Sequence, residues 1–380
     1  MRIVVAPDSF KGSLTAAEAA AAIACGFRAV LPDADIVSLP MADGGEGTVD
    51  ALLGILGGHA RTVTVRDPFD RPVAARYGWM PQARLAVVET AAASGLPLLA
   101  GDGPDPLRAS SFGTGQLVRD ALDRGAQAVI LGLGGSATVD GGTGFLEALG
   151  VRFLDDAGRP LRAAGGTLGR IARIDSSGLD PRLRAAAVIA ACDVTCPLLG
   201  PSGAVHVFGP QKGATPELLP ALEAGMARYA EQVRALTGRD FADAAGGGAA
   251  GGLGFALRAF ADAELRSGFS LIADFGRLAD RIAGADLVVT GEGRLDAQSF
   301  HGKTPLGVAR LARAAGVPVV AFAGRVDGDA AAFREEGIVA AHAIADATIP
   351  LERAMAEAAG LLERCARRAA EAVTGGTILR

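Results

Sequence analysis

Asparagine is missing from all 380 residues, and only three of the 37 basic residues are lysines: Lys11, Lys212 and Lys303. Arginine therefore supplies the ordinary cationic surface. The three lysines all adjoin glycine, in Phe-Lys-Gly, Gln-Lys-Gly and Gly-Lys-Thr. An ammonium is a compact charge with freely turning donors that arginine does not replace at a crowded oxyanion, so function is expected for at least two of them. Aromatic residues make up only 5% of the chain, and the apolar half is mostly Ala, Leu and Val. That suits closely packed α/β layers with little bulk. No basic block accompanies the net charge of −5, which argues against nucleic acid or an anionic membrane as partner. The chain shows no signal peptide and no uncharged apolar stretch of spanning length, so a cytoplasmic protein is expected. A homo-oligomer is left open.

The four cysteines, Cys25, Cys192, Cys196 and Cys365, form no disulfide framework in a chain of this size. Cys192-x3-Cys196 lacks a second pair, and its nearest histidine in sequence is His206, which disfavours zinc. His59, His206, His301 and His342 each stand alone, which disfavours a hydrolytic triad. Gly302-Lys303-Thr304 is not a P-loop tail, because residue 297 is Ala. Asp274-Phe275-Gly276 has no accompanying kinase loops.

What remains is a series of apolar strands ending in polar, glycine-rich turns. Ile3–Ala6 and Asp35–Leu39, each followed by a helix, begin an open parallel sheet. Arg61–Met80 alternates around Asp67-Pro68-Phe69-Asp70-Arg71, which predicts a hairpin. From Ala285 the parallel style returns. The expected architecture is α/β: a discontinuous Rossmann-like parallel-sheet domain over 1–62 and 285–380, with 63–284 as an inserted α/β domain.

In open α/β sheets ligands bind at the carboxyl ends of strands, and five turns there carry chemistry. Asp8-Ser9-Phe10-Lys11-Gly12-Ser13 opens a helix, a setting that favours an anion. Asp43-Gly44-Gly45-Glu46-Gly47-Thr48 offers carboxylates for Mg²⁺ or for orienting a hydroxyl. Gly132–Gly142 looks like a phosphate cradle. The same segment matches the dinucleotide pattern at Gly132, Gly134 and Ala137, leaving an NAD-type Rossmann oxidoreductase open, with Asp155 or Asp156 as its ribose-reading acid. Cys192-Asp193-Val194-Thr195 offers a general base. Thr290-Gly291-Glu292-Gly293-Arg294-Leu295-Asp296, with Lys303 shortly after, combines cations and carboxylates as phosphoryl transfer requires. A two-lobed, non-catalytic ligand-binding protein is a further alternative.

Taken in order, several segments resemble the glycerate kinase family of the bacterial glycerate 2-kinase type. They are Ala6–Lys11, Ala42–Thr48, Gly134–Thr138, Ala191–Thr195, Phe208–Ala214 and Thr290–Arg294. Cys196 departs from the pattern, standing where Asn is expected before Pro197. The resemblance implies a Rossmann-like domain carrying an inserted domain, with an active site in the interdomain cleft. It also implies ATP and Mg²⁺ as cofactors and D-glycerate as substrate, with 2-phosphoglycerate rather than 3-phosphoglycerate as product. Loop position and charge then nominate Asp193, Lys11 and Arg294 as catalytic, with Asp193 accepting the hydroxyl proton. Gly134, Gly135, Ser136, Ala137 and Thr138 are nominated for nucleotide phosphates. Asp8, Ser9, Lys212, Glu292 and Lys303 are nominated for substrate, and Asp43 and Glu46 for metal, with Glu292 a further metal candidate.

Overall fold

The computed structural model describes residues 1–296, 304–327, 329–346 and 348–376. The chain divides into two compact units, Met1–Asp43 with Phe269–Arg380, and Gly44–Gly268. In chain order the strands begin with β1 (Arg2–Val5), β2 (Asp35–Ser38), β3 (His59–Arg66), β4 (Pro72–Met80), β5 (Leu85–Glu89), β6 (Ala128–Gly132) and β7 (Arg152–Leu154). They continue with β8 (Pro160–Leu161), β9 (Arg173–Asp175), β10 (Ala187–Ala191), β11 (Glu264–Arg266), β12 (Leu287–Leu295), β13 (Val319–Val326) and β14 (Ile338–Ala343).

The first unit is a wholly parallel sheet in the order β14-β13-β12-β1-β2. Counted within the unit this is 2-1-3-4-5, the doubly wound order whose direction reverses between its first and third strands, here β1 and β12. Side chains alternate across a strand. Ile3 and Val5 join Leu287, Val289, Val320 and Phe322 against helices Ala16–Arg28 and Ala358–Thr374. Val4, Val288 and Val319, which point the other way, are equally buried. Both faces are therefore covered, as a parallel sheet requires. Helix Ala16–Arg28 starts at a reciprocal cap: the Glu18 amide donates to Thr15 Oγ1 at 3.2 Å, and the Thr15 amide donates to Glu18 Oε2 at 2.8 Å.

The second unit holds a six-stranded sheet, β11-β10-β6-β5-β4-β3. Four strands are parallel, and the β3–β4 hairpin closes one edge antiparallel. The hairpin predicted from alternation is present, paired from His59↔Trp79 to Arg66↔Pro72. Asp67 turns it by accepting the amides of Phe69 and Arg71 at 2.8 and 2.9 Å. A small sheet, β8-β7-β9, and the edge strand β11 have no counterpart in the sequence pattern, being only two or three residues long.

The units divide at 43/44 and 268/269, whereas the sequence pattern changes style at 62/63 and 284/285. Packing explains the difference. Helix Thr48–Leu56 rests on the second sheet, where Val49 and Leu53 lie over Gly78 of β4. The Val49 amide also donates to Glu89 Oε1 at the end of β5, at 2.8 Å. At the other junction the Phe269 ring covers Gly307, and Leu39 covers Gly276, within the first unit. No helix among the described residues is long and apolar enough to cross a membrane.

In the first unit, helices Ala16–Arg28 and Ala358–Thr374 touch through Gly26, where a Cβ would lie 2.4 Å from the Glu363 carbonyl oxygen and 2.7 Å from Ala366 Cβ. Gly26→Ala is expected to lower the unfolding free energy by about 2–3 kcal/mol, the cost of overpacking a close contact. Urea unfolding measures it, and an unchanged midpoint would show that the helices part freely.

Candidate active site

Strand β6 ends in the glycine-rich loop, which presses directly on the Gly44–Thr48 segment. A Cβ on Gly132 would lie 2.5 Å from the Gly44 carbonyl oxygen, and one on Gly134 would lie 2.6 Å from Gly45 Cα. The Gly134 amide donates to the Gly44 carbonyl at 3.3 Å, and the Ala137 amide donates to the Ser94 carbonyl at 2.8 Å. Two of the five residues nominated for phosphate, Gly134 and Ala137, thus have their amides committed within the protein. Gly135 and Ser136 lie between them, and Gly135 has a φ of 72°. Successive amides at such a left-handed turn form an anion-binding concavity.

Beneath this loop sits Lys212, only 2% exposed. Its Nζ donates to Ser136 Oγ at 2.8 Å and to the Thr138 carbonyl at 2.9 Å. Burial pushes its pKa down to about 8, against the opposing pull of Asp140 and Cys196. These bonds tie the Lys212 ammonium to the loop, and the nominated Thr138 hydroxyl faces the Ala250 carbonyl at 3.5 Å. Asp140 is fully buried and accepts Ser111 N and Oγ, Gly142 N and Gly144 N at 2.7–3.2 Å. Burial raises its pKa, and those hydrogen bonds work the other way. Glu89, buried at the end of β5, has its pKa raised by burial, with the Val49 amide opposing. Asp193 follows β10, half-buried, and its Oδ1 accepts the Gly268 amide at 3.1 Å.

In the first unit, Asp8 follows β1 and is 8% exposed. Thr304 Oγ1 donates to its Oδ2 at 2.5 Å, and the Ser9 amide donates to its Oδ1 at 2.6 Å. Burial, then the Asp43 charge, and to a smaller extent Glu292, push its pKa up to about 7 despite those two bonds. Lys11 is exposed on the tight turn that pairs Phe10 with Leu14. The Arg294 guanidinium, more than half exposed, is shared by Asp327 at 2.9 Å and Asp296 at 3.2 Å. Lys303 lies outside the described residues.

The two nominated metal ligands keep different company. Asp43 acts on Asp8, whereas exposed Glu46 acts on Glu89 and Arg76. Among the described residues no three acidic, histidine or cysteine side chains are grouped to hold a metal ion. Mg²⁺ does not require such a cage, because it is usually held by one or two carboxylates plus phosphate oxygens. The carboxylates around Asp8 repel one another, and a cation would relieve that repulsion, so these residues fit a Mg²⁺ held mainly by substrate. The ribose-reading acid of the oxidoreductase alternative is not supported. Asp155 caps the β7–β8 turn, accepting the amides of Ala157 and Arg159 at 3.0 and 2.9 Å.

Ser111, Glu89 and Thr304 have no assigned role in the sequence pattern, and Asp140 figures there only as a member of the glycine-rich loop. Asp140 lay in plain view inside the glycine-rich loop, but nothing local marks a carboxylate that collects donors 29 residues away. Thr304 belongs to the incomplete P-loop pattern at Gly302-Lys303-Thr304.

Together these features define an α/β protein with carboxylates at the switch point of a doubly wound sheet and, in its second unit, a glycine-rich loop backed by a buried lysine. Residues 3–374 match the glycerate kinase family. A glycerate kinase of Bacillus subtilis (strain 168) is 47% identical over 98% of each chain. The glycerate 2-kinase of Escherichia coli (strain K12) is 43% identical over 99% of each. A solved structure from Salmonella typhimurium LT2, provisionally described as a glycerate kinase 2, superposes with a TM-score of 0.87 at 46% identity, covering 99% of both chains. The chain belongs to the glycerate kinase family, in agreement with the resemblance carried by its ordered motifs.

Asp8 sets a pH dependence of stability. Its folded pKa lies above its unfolded value of 3.8, so between pH ~4 and ~7 the folded state binds more protons and this group's contribution falls as pH rises. Asp8→Asn removes the buried charge and keeps an acceptor for Thr304. It is expected to gain roughly 2 kcal/mol over the wild type at pH 8, shrinking toward nothing near pH 4. Urea unfolding at both pH values checks this, and a gain independent of pH would refute the assignment.

Proposed function

We propose that the chain is an ATP-dependent glycerate kinase that transfers a phosphoryl group directly to the 2-hydroxyl of D-glycerate. The observation that carries this reading is the end-to-end similarity to a protein named glycerate 2-kinase, over 99% of each chain. The glycine-rich loop supports it as a phosphate site. In this proposal the Gly135 and Ser136 amides and the Ser136 hydroxyl hold phosphate oxygens, which need fixed donors without Cβ obstruction. Lys11 and Arg294, with Lys303, supply positive charge to the migrating group. Ser9 and Glu292 orient substrate.

Mg²⁺, when bound, supplies charge neutralisation at the phosphates, and Asp43 with Glu292 are the side chains proposed to hold it. The hydroxyl must lose a proton as it attacks. Asp193, at the end of β10 and fixed by the Gly268 amide, is the proposed acceptor. Asp8 is a second candidate, favoured by a pKa near 7, where a general base works best.

Phosphorus NMR of the product from ATP, Mg²⁺ and D-glycerate tests the reading. A phosphomonoester at the 2-position is expected. A signal at the 3-position would keep the kinase and overturn the product, and no turnover would overturn both. Asp193→Asn is expected to lower kcat by about a hundredfold or more with folding intact. If Asp8→Asn shows that loss and Asp193→Asn does not, the base is Asp8.

A further inference from the structure

We infer that Lys212 is a positioning residue that turns the hydroxyl proton of Ser136 away from the protein, so that Ser136 donates to a phosphate oxygen of bound ATP. This rests on the phosphate-binding reading of the same loop.

An ammonium carries three donors and no acceptor. With Lys212 Nζ at 2.8 Å from Ser136 Oγ, the hydroxyl oxygen is the acceptor of that bond, and its own proton must point elsewhere. The second donor of Lys212, held at 2.9 Å by the Thr138 carbonyl, keeps the ammonium from turning. The neighbours on either side fix Ser136 itself: the Leu96 amide donates to the Gly135 carbonyl, and the Ala137 amide donates to the Ser94 carbonyl. Serine hydroxyls normally rotate to suit their surroundings. Here one rotation is selected in advance, which lowers the cost of ordering the donor when an anion arrives.

The titratable groups that act on Lys212 are Asp140, from the same glycine-rich loop, and Cys196, from the segment after β10. Asp140 is in turn faced by Tyr229 of helix Leu219–Thr237. Burial raises the Cys196 pKa, which favours the neutral thiol. Lys212 loses its proton near pH 8. The neutral amine keeps two N–H donors but gains a lone pair that accepts a hydrogen bond from the Ser136 hydroxyl, so the outward rotation is no longer enforced. Phosphate affinity therefore declines on the alkaline side. A lysine serving only to fill space beneath the loop would leave that affinity indifferent to pH.

The test is the dissociation constant of ATP, measured by titration calorimetry on the full chain from about pH 7.5 to about pH 9.5, where the phosphates, with a last ionisation near pH ~6, no longer titrate. The wild type is expected to weaken about tenfold across this range, the worth of one hydrogen bond to a charged group. Ser136→Ala is expected to bind about tenfold more weakly at pH 7.5 and to show no alkaline decline. Lys212→Met should match it. If that variant fails to fold, Ser136→Ala alone decides, since the titration acts through its hydroxyl. A wild type whose affinity is flat with pH, or a weakened Ser136→Ala that keeps the wild-type decline, overturns the inference while leaving the phosphate site in place. A Ser136→Ala with unaltered affinity at pH 7.5 overturns the phosphate reading and the inference together.

Discussion

Backbone lies directly on backbone where the Gly44–Thr48 segment meets the glycine-rich loop, and the geometry of the second unit's site follows from that contact. No side chain fits at Gly132 or Gly134. Gly44, with a φ of 86°, is hemmed in by the Ala191 carbonyl oxygen, 2.9 Å from where its Cβ would be. The contact commits the Gly134 amide to Gly44, which is why the proposed phosphate site uses the Gly135 and Ser136 amides. A second close approach, of Gly251 to the Thr138 carbonyl oxygen, fixes the far side of the loop. Only glycine tolerates such proximity together with positive φ, which explains why glycine clusters in this chain rather than spreading through it.

Burial acts on the two units in opposite chemical directions. In the first it raises the proton affinity of Asp8, and in the second it lowers that of Lys212. In both cases desolvation disfavours the charged form. In both cases, too, hydrogen bonds hold the group in place: Thr304 and Ser9 on Asp8, and Ser136 and Thr138 on Lys212. Groups shifted toward neutrality are the ones expected to exchange protons or reorient them at working pH.

Much of the fold could be read from the sequence, because buried parallel strands are short apolar runs that end in polar turns. Ile3–Ala6 and Leu287–Val289 announce themselves in this way, and the β3–β4 hairpin follows from alternation around Asp67. The division between units could not be read so closely. Helix Thr48–Leu56 looks like the next step of a β-α-β-α series, and only its seat on β4 and its bond to Glu89 assign it to the second unit. The polar turns at strand ends that carry Ser136, Asp8 and Asp193 could be placed from the strand pattern. The supports of those loops could not. Lys212 meets Ser136 across 76 residues, and Thr304 meets Asp8 across 296. Residue type alone does not distinguish a clamp at the surface from a strut beneath it.

The central claim is that the glycine-rich loop presents the Gly135 and Ser136 amides to a phosphate. Amide nitrogen–proton NMR of the full chain during titration with ATP tests it most directly. The Gly135 and Ser136 amide protons are expected to move downfield together as ATP binds, while those of Gly134 and Ala137, already bonded to Gly44 and Ser94, move little. Saturable ATP binding that leaves Gly135 and Ser136 unmoved would contradict it.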